Sequence, residues 1–405
     1  MAALSYETVL NIIENTHRFG NKPGVEVTSV VLKKLGQPQE SLPFIHIAGT
    51  NGKGSTCAFI KSILMETGLK VGVCTSPHLV DFRERIAIND KLIEKEEVTR
   101  IGNFLIEQDF GVSLTMFDYC LVMAILYFTE QNCDIAVIET GLGGGMDSTN
   151  ALGVPVVSAI TRIGYDHMAV LGDTLPQIAA EKAGIIKTGT RLVIGQQEKA
   201  ALDVICHMAE EKDVDYIVTE KSQPFLKETL QKAKIKMLGE YQKENAAVAV
   251  EVAKLILPER KWGCIREGLS KAFWPGRMEI LSASPFLLVD GAHNSNGVEA
   301  LRDSLLVMYP GEKFRFIMGV MADKDYEKMI ECLLPLAKDF VTVTANSDRA
   351  LDAKELARQI EAKGVPARKA DSLEEALNSL SEEEKNIAFG SLYFIGDIKA
   401  TYEHH

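Results

Sequence analysis

The chain has 405 residues, 46% of them apolar, which is enough for two or three domains with cores of their own. Its net charge of -12 at pH 7 argues against a nucleic-acid-binding surface, because such surfaces need clustered lysine and arginine. Seven cysteines without a C-x-x-C pair predict neither a disulfide framework nor a thiolate zinc site. No segment has the pattern of a secretion signal or a membrane span, so we expect a cytoplasmic protein.

The first part of the sequence alternates short β-branched runs with helical patterns. The runs are FIHIAG (44–49), VGVCTS (71–76), DIAVIETG (134–141) and VPVVSAI (154–160). Such alternation is typical of βαβ units around a mostly parallel sheet, and continuous apolar runs indicate strands that are buried on both faces. We therefore predict an α/β fold.

A second alternating series begins near Phe286. It contains FLLVDGAHN, FRFIMGV, DFVTVTA and NIAFGSLYFIG, separated by helical stretches such as 297–308 and 352–363. The segment FWPGRMEILSASP (273–285) carries prolines and a glycine between the two series, which is typical of a domain boundary. We predict one α/β domain over residues 1–278 and another over residues 284–402. The terminal Glu403-His404-His405 resembles a tag remnant and carries no functional argument.

The strongest local motif is GTNGKGS, residues 49–55, between a predicted strand and a predicted helix. Glycines allow backbone amides to approach phosphate oxygens, and the helix N-terminus and Lys53 add positive charge. The spacing departs from the usual phosphate loop, because Ile47 stands where the first glycine would be and Gly54 follows the lysine. The motif predicts a phosphate cradle; the alternative is a glycine-rich turn that precedes a helix.

Polar side chains follow several other predicted strands. Glu139 ends one strand and could hold Mg²⁺, or it is an ordinary charge that faces a loop. His167 follows another strand, where it is either a ligand or a structural histidine, and Lys182 read alone is helix surface. The segment DGAHN (290–294) could contact ribose, phosphate or substrate, or it caps a helix.

Each motif alone is weak evidence, but their order along the chain is specific. They include GTNGKGS, TSPHL (75–79), RERI (83–86), ETGLGG (139–144), AEKAGIIK (180–187), EYQKENA (240–246), PGRME (275–279), DGAHN and GSLYFIGD (390–397). This ordered set resembles the folylpolyglutamate synthase and dihydrofolate synthase family, which belongs to the Mur ligase superfamily. The resemblance covers nearly the whole chain.

The resemblance implies an N-terminal P-loop ATPase domain with a mostly parallel sheet and a C-terminal Rossmann-like glutamate-ligase domain. It implies an ATP-dependent ligase that adds L-glutamate to tetrahydrofolate, to dihydropteroate or to both. The reaction would pass through an acyl phosphate and release ADP and phosphate. ATP and Mg²⁺ are the expected cofactors, and we expect a monomer without nucleic-acid or membrane partners.

The resemblance also implies roles for individual residues. Lys53, Lys182 and His293 would be catalytic, and Lys182 matches a lysine that the family carbamylates. Arg85, Phe117 and Ser391 would bind substrate, with His293 and Ser391 facing the reaction centre and the glutamate. ATP would be bound by Gly49, Thr50, Asn51, Gly52, Lys53, Gly54, Ser55, Asn245, Arg277 and Asp290. Magnesium would be held by Ser55, Ser76, Glu139 and His167.

Some alternatives stay open at this point. Phe117 could stack on a pteridine ring, or it is a buried aromatic residue of a helix. The sequence departs from the family at Gly145, where arginine is usual, and at Ser295, where proline is common. The function could instead be that of another Mur-type ligase acting on a cell-wall nucleotide precursor, or of a nucleotide-binding module without catalysis. The choice of acceptor and the glutamate chain length are also open.

Overall fold

The computed structural model describes residues 3–16, 24–219 and 224–403, so the terminal His404 and His405 lie outside the described residues. The chain forms two compact units. The first comprises Met1–Lys236 and Glu244–Ala272, and the second comprises Met237–Lys243 and Phe273–His405. The division between Ala272 and Phe273 falls slightly before the boundary predicted between 278 and 284. The sequence does not indicate that residues 237–243 group with the second unit.

In the first unit the strands form one eight-stranded sheet with the order β4-β3-β2-β5-β1-β6-β7-β8. Its pairs are parallel except β2 with β3 and β3 with β4, so the sheet is mostly parallel, as predicted. The strands are β1 Phe44–Ala48, β2 Val71–Cys74, β3 Ile86–Ile88, β4 Lys91–Leu92, β5 Ile135–Glu139, β6 Val157–Ile160, β7 Leu192–Ile194 and β8 Tyr216–Val218.

Helices pack against this sheet and begin at recognisable signals. The helix α5 begins with a capping box formed by Thr115 and Asp118, and α7 begins with one formed by Thr174 and Gln177. The described helices of the first unit, with α10 extending into it, are α1 Tyr6–Glu14, α2 Gly24–Lys34, α3 Lys53–Met65, α4 Lys95–Glu107, α5 Met116–Glu130, α6 Met168–Leu171, α7 Leu175–Ala183, α8 Lys199–Glu211, α9 Pro224–Lys232, α10 Tyr241–Ile256 and α11 Gly263–Lys271. None of the described helices is both long enough and apolar enough to span a membrane.

The second unit contains a six-stranded sheet with the order β13-β12-β11-β14-β10-β9, in which only β9 and β10 are antiparallel. Its strands are β9 Glu279–Ala283, β10 Phe286–Val289, β11 Phe314–Met318, β12 Ala337–Thr342, β13 Ala367–Lys369 and β14 Asn386–Phe389. Its helices are α12 Ser295–Met308, α13 Tyr326–Leu333, α14 Ala353–Glu361, α15 Leu373–Asn378 and α16 Leu392–Glu403. The segment predicted as a boundary therefore contains β9.

The parallel strands place several loops at one edge of each sheet. In the first unit β1 lies between β5 and β6, and β2 lies beside β5, so the loops that follow these strands are neighbours. In the second unit β10 lies beside β14, which places the loop after Val289 near the loop after Phe389. Ligands of open α/β sheets bind at this carboxyl edge. The fold class predicted from the sequence is confirmed, with two α/β units and a mostly parallel first sheet.

Candidate functional site

The GTNGKGS segment connects β1 to the N-terminus of α3. Gly52 precedes the helix at φ 90°, in the left-handed region, and no side chain caps the first turn. A β-carbon placed on Gly52 would lie 2.1 Å from Asn245 Oδ1, so the predicted Asn245 packs directly on this loop. A helix N-terminus without a side-chain cap offers its backbone amides and a favourable dipole to an anion.

The loop is braced from the neighbouring strand. The amides of Thr50 and Asn51 donate to the carbonyl of Arg162, at 2.9 and 3.2 Å. The Thr50 hydroxyl donates to the Gly164 carbonyl at 3.1 Å and accepts from the Gly164 amide at 3.0 Å. Thr50 thus shapes the loop through its amide and its hydroxyl, and Asn51 does so through its amide. The first-turn amides of α3 are the groups that helix geometry directs towards a phosphate.

Two lysines converge on one carbonyl oxygen of this loop. Lys53 Nζ donates to Gly49 O at 3.1 Å and lies 3.9 Å from Glu139 Oε1. Lys182 Nζ donates to the same Gly49 oxygen at 2.9 Å. Only 4% of Lys182 is exposed, which corrects the interpretation of this residue as helix surface. Burial, together with the charge of Lys53, lowers the pKa of Lys182 to about 7.

Glu139 and Ser76 lie at adjacent strand ends. Glu139 ends β5 with 3% of its surface exposed, and its Oε2 accepts from the Ser76 amide at 3.1 Å. His167 precedes the short helix α6 at φ 50° and has an exposed imidazole 3.9 Å from Asp166 Oδ1. Among the described residues, no group of three or more His, Cys, Asp or Glu side chains could hold a metal ion. Mg²⁺ commonly takes only one or two carboxylates together with phosphates and water, so Glu139 with serine hydroxyls fits its chemistry.

A glycine-rich loop, residues 141–147, packs backbone to backbone on the end of α7. A β-carbon on Gly144 would lie 2.6 Å from the Lys182 carbonyl oxygen, and one on Gly184 would lie 2.4 Å from Gly145 Cα. The Gly145 amide donates to Glu181 O at 2.9 Å, and the Met146 amide donates to Glu181 Oε1 at 3.0 Å. Glycine is thus required where this loop meets the helix that carries Lys182.

Of the predicted substrate residues of the first unit, Phe117 borders the same loop, and Arg85 lies just before β3. Phe117, in the first turn of α5, is half-buried, and its ring would lie 2.8 Å from a β-carbon on Gly141. Arg85 is buried and donates from Nε to His78 Nδ1 at 2.8 Å. Burial and the Arg85 charge lower the pKa of His78 to about 4, so this imidazole is neutral at physiological pH.

In the second unit Asp290 organises the loop that follows β10. Its Oδ1 accepts from the Ala292 amide at 2.8 Å, and its Oδ2 accepts from the Met278 amide and the Tyr241 hydroxyl, both at 2.9 Å. Burial raises the pKa of Asp290, and the Arg277 charge opposes this rise. Arg277 Nη1 would lie 2.6 Å from a β-carbon on Gly291. The structure therefore brings Arg277 and Asp290 together.

His293 and Ser391 lie at neighbouring positions of that sheet edge. His293 Nδ1 lies 2.7 Å from the Gly291 carbonyl, so we assign the donor proton to Nδ1 and the lone pair to Nε2. Ser391 is buried after β14, where its hydroxyl accepts from the Tyr393 amide at 3.2 Å. Leu392 would lie 2.3 Å from a β-carbon on Gly291, which places Ser391 and His293 on adjoining loops.

Sequence profiles of two protein families match these units. The Mur ligase middle domain matches residues 47–253, and the Mur ligase glutamate ligase domain matches residues 276–388. A dihydrofolate synthase/folylpolyglutamate synthase of Bacillus subtilis is 35% identical over 98% of both chains, and a folylpolyglutamate synthase of Lacticaseibacillus casei is 33% identical over 92% of both. The chain belongs to this synthase family of Mur ligases.

Solved structures of this synthase family have the same fold. A folylpolyglutamate synthase of Mycobacterium tuberculosis complexed with ADP has a TM-score of 0.88, 26% identity and 98% coverage of both chains. The FolC protein of E. coli, in complex with DHPP and ADP, has a TM-score of 0.87 and 26% identity, and covers 100% of this chain and 99% of that one. The family is one of ATP-dependent ligases, and this chain is such a ligase.

Within this synthase family the chain departs from the usual motifs at two places whose surroundings are visible. The Gly145 carbonyl accepts from the Asn150 side-chain amide at 2.9 Å, and a β-carbon on Gly145 would lie no closer than 3.6 Å to its neighbours, so the packing at this position accepts glycine without requiring it. Ser295 is the first residue of α12, which Asn294 caps by accepting from the Gly297 amide at 2.8 Å. Both departures are compatible with the local geometry.

Sequence reasoning missed several residues that shape the synthase site. Tyr241, which holds Asp290, lies inside the motif EYQKENA but was not assigned a role. Glu181 and Asp147 fix the glycine-rich loop, and His46 is buried beneath it in β1. The signal available for these residues is their position within or beside the motifs, because a polar residue inside a buried strand or a glycine-rich segment needs a partner.

Proposed function

We propose that this synthase-family chain adds L-glutamate to tetrahydrofolate, to dihydropteroate or to both, with hydrolysis of ATP to ADP and phosphate. The observation that carries the proposal is the convergence of Lys53 and Lys182 on Gly49, beside Glu139, at the opening of α3. The E. coli relative bound to DHPP and ADP and the Lacticaseibacillus casei relative named folylpolyglutamate synthase support this acceptor class.

A carboxylate is a poor electrophile, so the acceptor must be activated before an amine can attack it. An oxygen of the acceptor carboxylate attacks the γ-phosphorus of ATP, and the bond to the bridging oxygen of ADP breaks. The resulting acyl phosphate is attacked at its carbonyl carbon by the glutamate amine, phosphate leaves, and the amine loses a proton. Lys53, on the loop that receives the phosphates, balances charge on the transferring phosphoryl group.

Magnesium is the cation that the proposed chemistry needs, since it would neutralise phosphate charge. Ser55, Ser76, Glu139 and His167 would hold it, with Glu139 supplying the carboxylate. Glu139 Oε2 accepts a hydrogen bond from the Ser76 amide, and Glu139 Oε1 lies 3.9 Å from Lys53 Nζ. These contacts orient the carboxylate towards the loop. Substitution of Glu139 by glutamine should raise the Mg²⁺ concentration needed for half-maximal activity, with a smaller effect on the melting temperature.

We also propose that Lys182 is carbamylated. Carbamylation needs an uncharged amine that attacks carbon dioxide, and a pKa of about 7 keeps a large fraction of Lys182 uncharged near neutral pH. The product is a carboxylate-like group that can support the proposed metal site. The test is the variant Lys182→Ala assayed with short carboxylic acids; unimpaired activity in the variant would falsify a catalytic role.

The second unit would serve the nucleotide and the glutamate. Arg277 and Asp290 are the proposed nucleotide contacts, and Asp290 is fixed by three donors, one of which is the Met278 amide directly before β9. His293 Nδ1 donates to Gly291 O, which orients the imidazole at this sheet edge, and we propose that the ring faces the glutamate amine. Ser391 lies on the adjoining loop as the proposed glutamate contact.

The deciding experiment measures ADP release with Mg²⁺ and glutamate, with dihydropteroate, tetrahydrofolate or a cell-wall nucleotide precursor as acceptor. We expect turnover with at least one pterin and loss of turnover in Lys53→Met. Turnover with both pterins would assign two activities, as in the bifunctional name of the Bacillus subtilis relative. Turnover only with the cell-wall precursor would move the chain to another Mur ligase branch, and turnover with none would support a non-catalytic nucleotide-binding module.

A further inference from the structure

His46 is a buried histidine that the proposed chemistry does not use. It is the third residue of β1, which lies between β5 and β6 in the first sheet, and none of its surface is exposed. Burial lowers the pKa of His46 to about 3, so its imidazole is neutral at physiological pH. A neutral histidine inside a central strand is costly unless its ring is hydrogen-bonded.

The ring makes one side-chain contact that fixes its tautomer. His46 Nε2 lies 2.8 Å from Thr149 Oγ1, and the Thr149 hydroxyl also bonds to Asp147 Oδ1. A hydroxyl has one proton, which Thr149 gives to the carboxylate, so it accepts from His46 and the ring proton is on Nε2. His46 Nδ1 has no hydrogen-bond partner among the described residues, and this tautomer leaves no buried donor unpaired there.

His46, Thr149 and Asp147 form a hydrogen-bonded relay, and Asp147 at its end closes the glycine-rich loop. Its Oδ1 also accepts from the Thr149 amide at 3.0 Å, and its Oδ2 accepts from the Leu142 amide at 2.8 Å. The carboxylate therefore joins the two ends of the 141–147 segment. This loop supports Phe117 through Gly141 and meets the backbone of Lys182 through Gly144.

We propose that His46 is a positioning residue for the acceptor site, acting through Thr149 and Asp147 on the glycine-rich loop. The inference rests on the proposed function in one respect, namely that Phe117 beside Gly141 borders the acceptor. The alternative is that His46 only fills the sheet. Under that alternative its replacement disturbs β1, and with it the phosphate loop, which begins at Gly49 directly after this strand.

The two alternatives predict different kinetic effects. For His46→Leu and Thr149→Val, we expect the KM for the pterin acceptor to rise about tenfold, because each substitution breaks the chain of hydrogen bonds that ends on the Asp147 carboxylate. The KM for ATP should change less than twofold. The double variant should be no worse than the worse single variant, because both substitutions break one relay. His46→Gln, which keeps a side-chain N–H, should recover part of the loss.

A control separates the relay from burial alone. Ser158→Ala removes a buried hydroxyl from β6, on the other side of β1, and Ser158 Oγ contacts Ile185 O at 3.3 Å. This variant should lower the melting temperature without changing either KM. A parallel rise of the ATP and acceptor KM values in His46→Leu, or purely additive effects in the double variant, would overturn the proposal.

Amide hydrogen exchange tests the relay without substrate. Thr149→Val conserves side-chain shape and should fold even where His46→Leu does not, and it should speed exchange of the Leu142 amide and of the 141–147 segment. Exchange in the phosphate loop should be unchanged. Unchanged exchange at Leu142 would overturn the relay itself. Faster exchange in a chain without pterin-dependent turnover would keep the relay and reject the proposed function.

Discussion

In its uncarbamylated form Lys182 is a buried amine that donates to the Gly49 carbonyl of the phosphate loop. Its pKa of about 7 lies below the ordinary 10.5, so the unfolded chain binds a proton between pH 7 and 10.5 that the folded chain does not bind. The free energy of unfolding should therefore rise with pH across this window. Below pH 7 both states are protonated, and the cost of burying the charge is fully present. Each pKa unit corresponds to about 1.4 kcal/mol.

Replacing Lys182 by methionine should separate stability from activity. We expect Lys182→Met to abolish turnover yet increase the free energy of unfolding at pH 7, because the buried charge is removed and Lys53 still donates to Gly49 O. The rise of stability between pH 7 and 10 should flatten. Urea unfolding at several pH values measures both effects, and a less stable variant at pH 7 would contradict the argument.

Lys187 provides the matched control for this variant. Burial lowers its pKa to about 8, but its Nζ donates to the carbonyls of Asn150 and Gly153, both at 2.6 Å. Lys187→Met leaves these carbonyls without that donor and should destabilise the fold while it leaves turnover near normal.

Phe117 is the residue by which acceptor binding can be separated from nucleotide binding. Phe117→Ala removes a half-buried ring beside Gly141, and we expect the KM for the pterin to rise at least tenfold while the KM for ATP stays nearly constant. Initial rates at varied concentrations of each substrate provide the measurement. Equal increases in both values would show that the ring supports the fold and not the acceptor.

At the scale of elements, the junction of β1 and α3 depends on Gly52. Gly52→Ala places a β-carbon 2.1 Å from Asn245 Oδ1 at a φ of 90°. We expect nucleotide affinity to fall by an order of magnitude or more, because the loop must shift away from the helix N-terminus. Calorimetric titration with a non-hydrolysable ATP analogue measures the loss.

Gly68→Ala is the control for the strain that alanine suffers at positive φ. Gly68 has a φ of 84° and has no atom within 4 Å of an added β-carbon. This variant should cost about 1–2 kcal/mol of stability and leave nucleotide affinity unchanged. If both glycine variants lose affinity equally, the crowding at Asn245 is not the cause.

The elements show what the sequence could predict. The runs at 44–49 and 134–141 indicated β1 and β5, because local apolar patterns reflect burial on both faces of a strand. The start of α3 lies at Lys53, inside the GTNGKGS motif and not after it, because Gly52 precedes the first turn and no side chain caps it. The segment 273–285 contains β9, whose antiparallel pairing with β10 has no local signal.

The candidate site was predictable where a residue lies inside a motif. It was less predictable where the role of a residue depends on its burial in the fold. Lys53, Glu139 and Asn245 are indicated by their motifs, and Gly52 packs on Asn245. The burial of Lys182 cannot be seen in a helical pattern, because its ammonium donates to the Gly49 carbonyl on a loop distant along the chain. The link from His46 to Asp147 likewise joins segments about a hundred residues apart.

At the scale of the whole molecule, the two compact units have separate sheets and separate cores. We therefore expect calorimetry to show two unfolding transitions. A non-hydrolysable ATP analogue with Mg²⁺ should raise the free energy of unfolding of the first unit, which carries the phosphate loop, by about 2.7 kcal/mol at a hundredfold excess over Kd. The second unit, which contributes Arg277 and Asp290 as proposed contacts, should be stabilised less. A single transition that moves as a whole would contradict this expectation.

Two crowding variants assign the transitions. Gly268→Ala places a β-carbon 2.4 Å from Ile63 Cα in the first unit, and Gly319→Ala places one 2.7 Å from the Phe394 ring in the second. Each should lower one transition and leave the other in place. The expected monomer stays a prediction, which light scattering on the same samples tests.

The bracing of the phosphate loop has a consequence for how a nucleotide arrives. The Arg162 carbonyl holds the amides of Thr50 and Asn51, and the Thr50 hydroxyl exchanges two bonds with Gly164. These bonds form within the protein, so nucleotide binding does not include the entropic cost of ordering the loop. That cost is about 1–2 kcal/mol of free energy per residue. Encounter then amounts to docking on a rigid template. Discrimination among nucleotides should therefore appear in how long each one stays bound, with association rates that differ little.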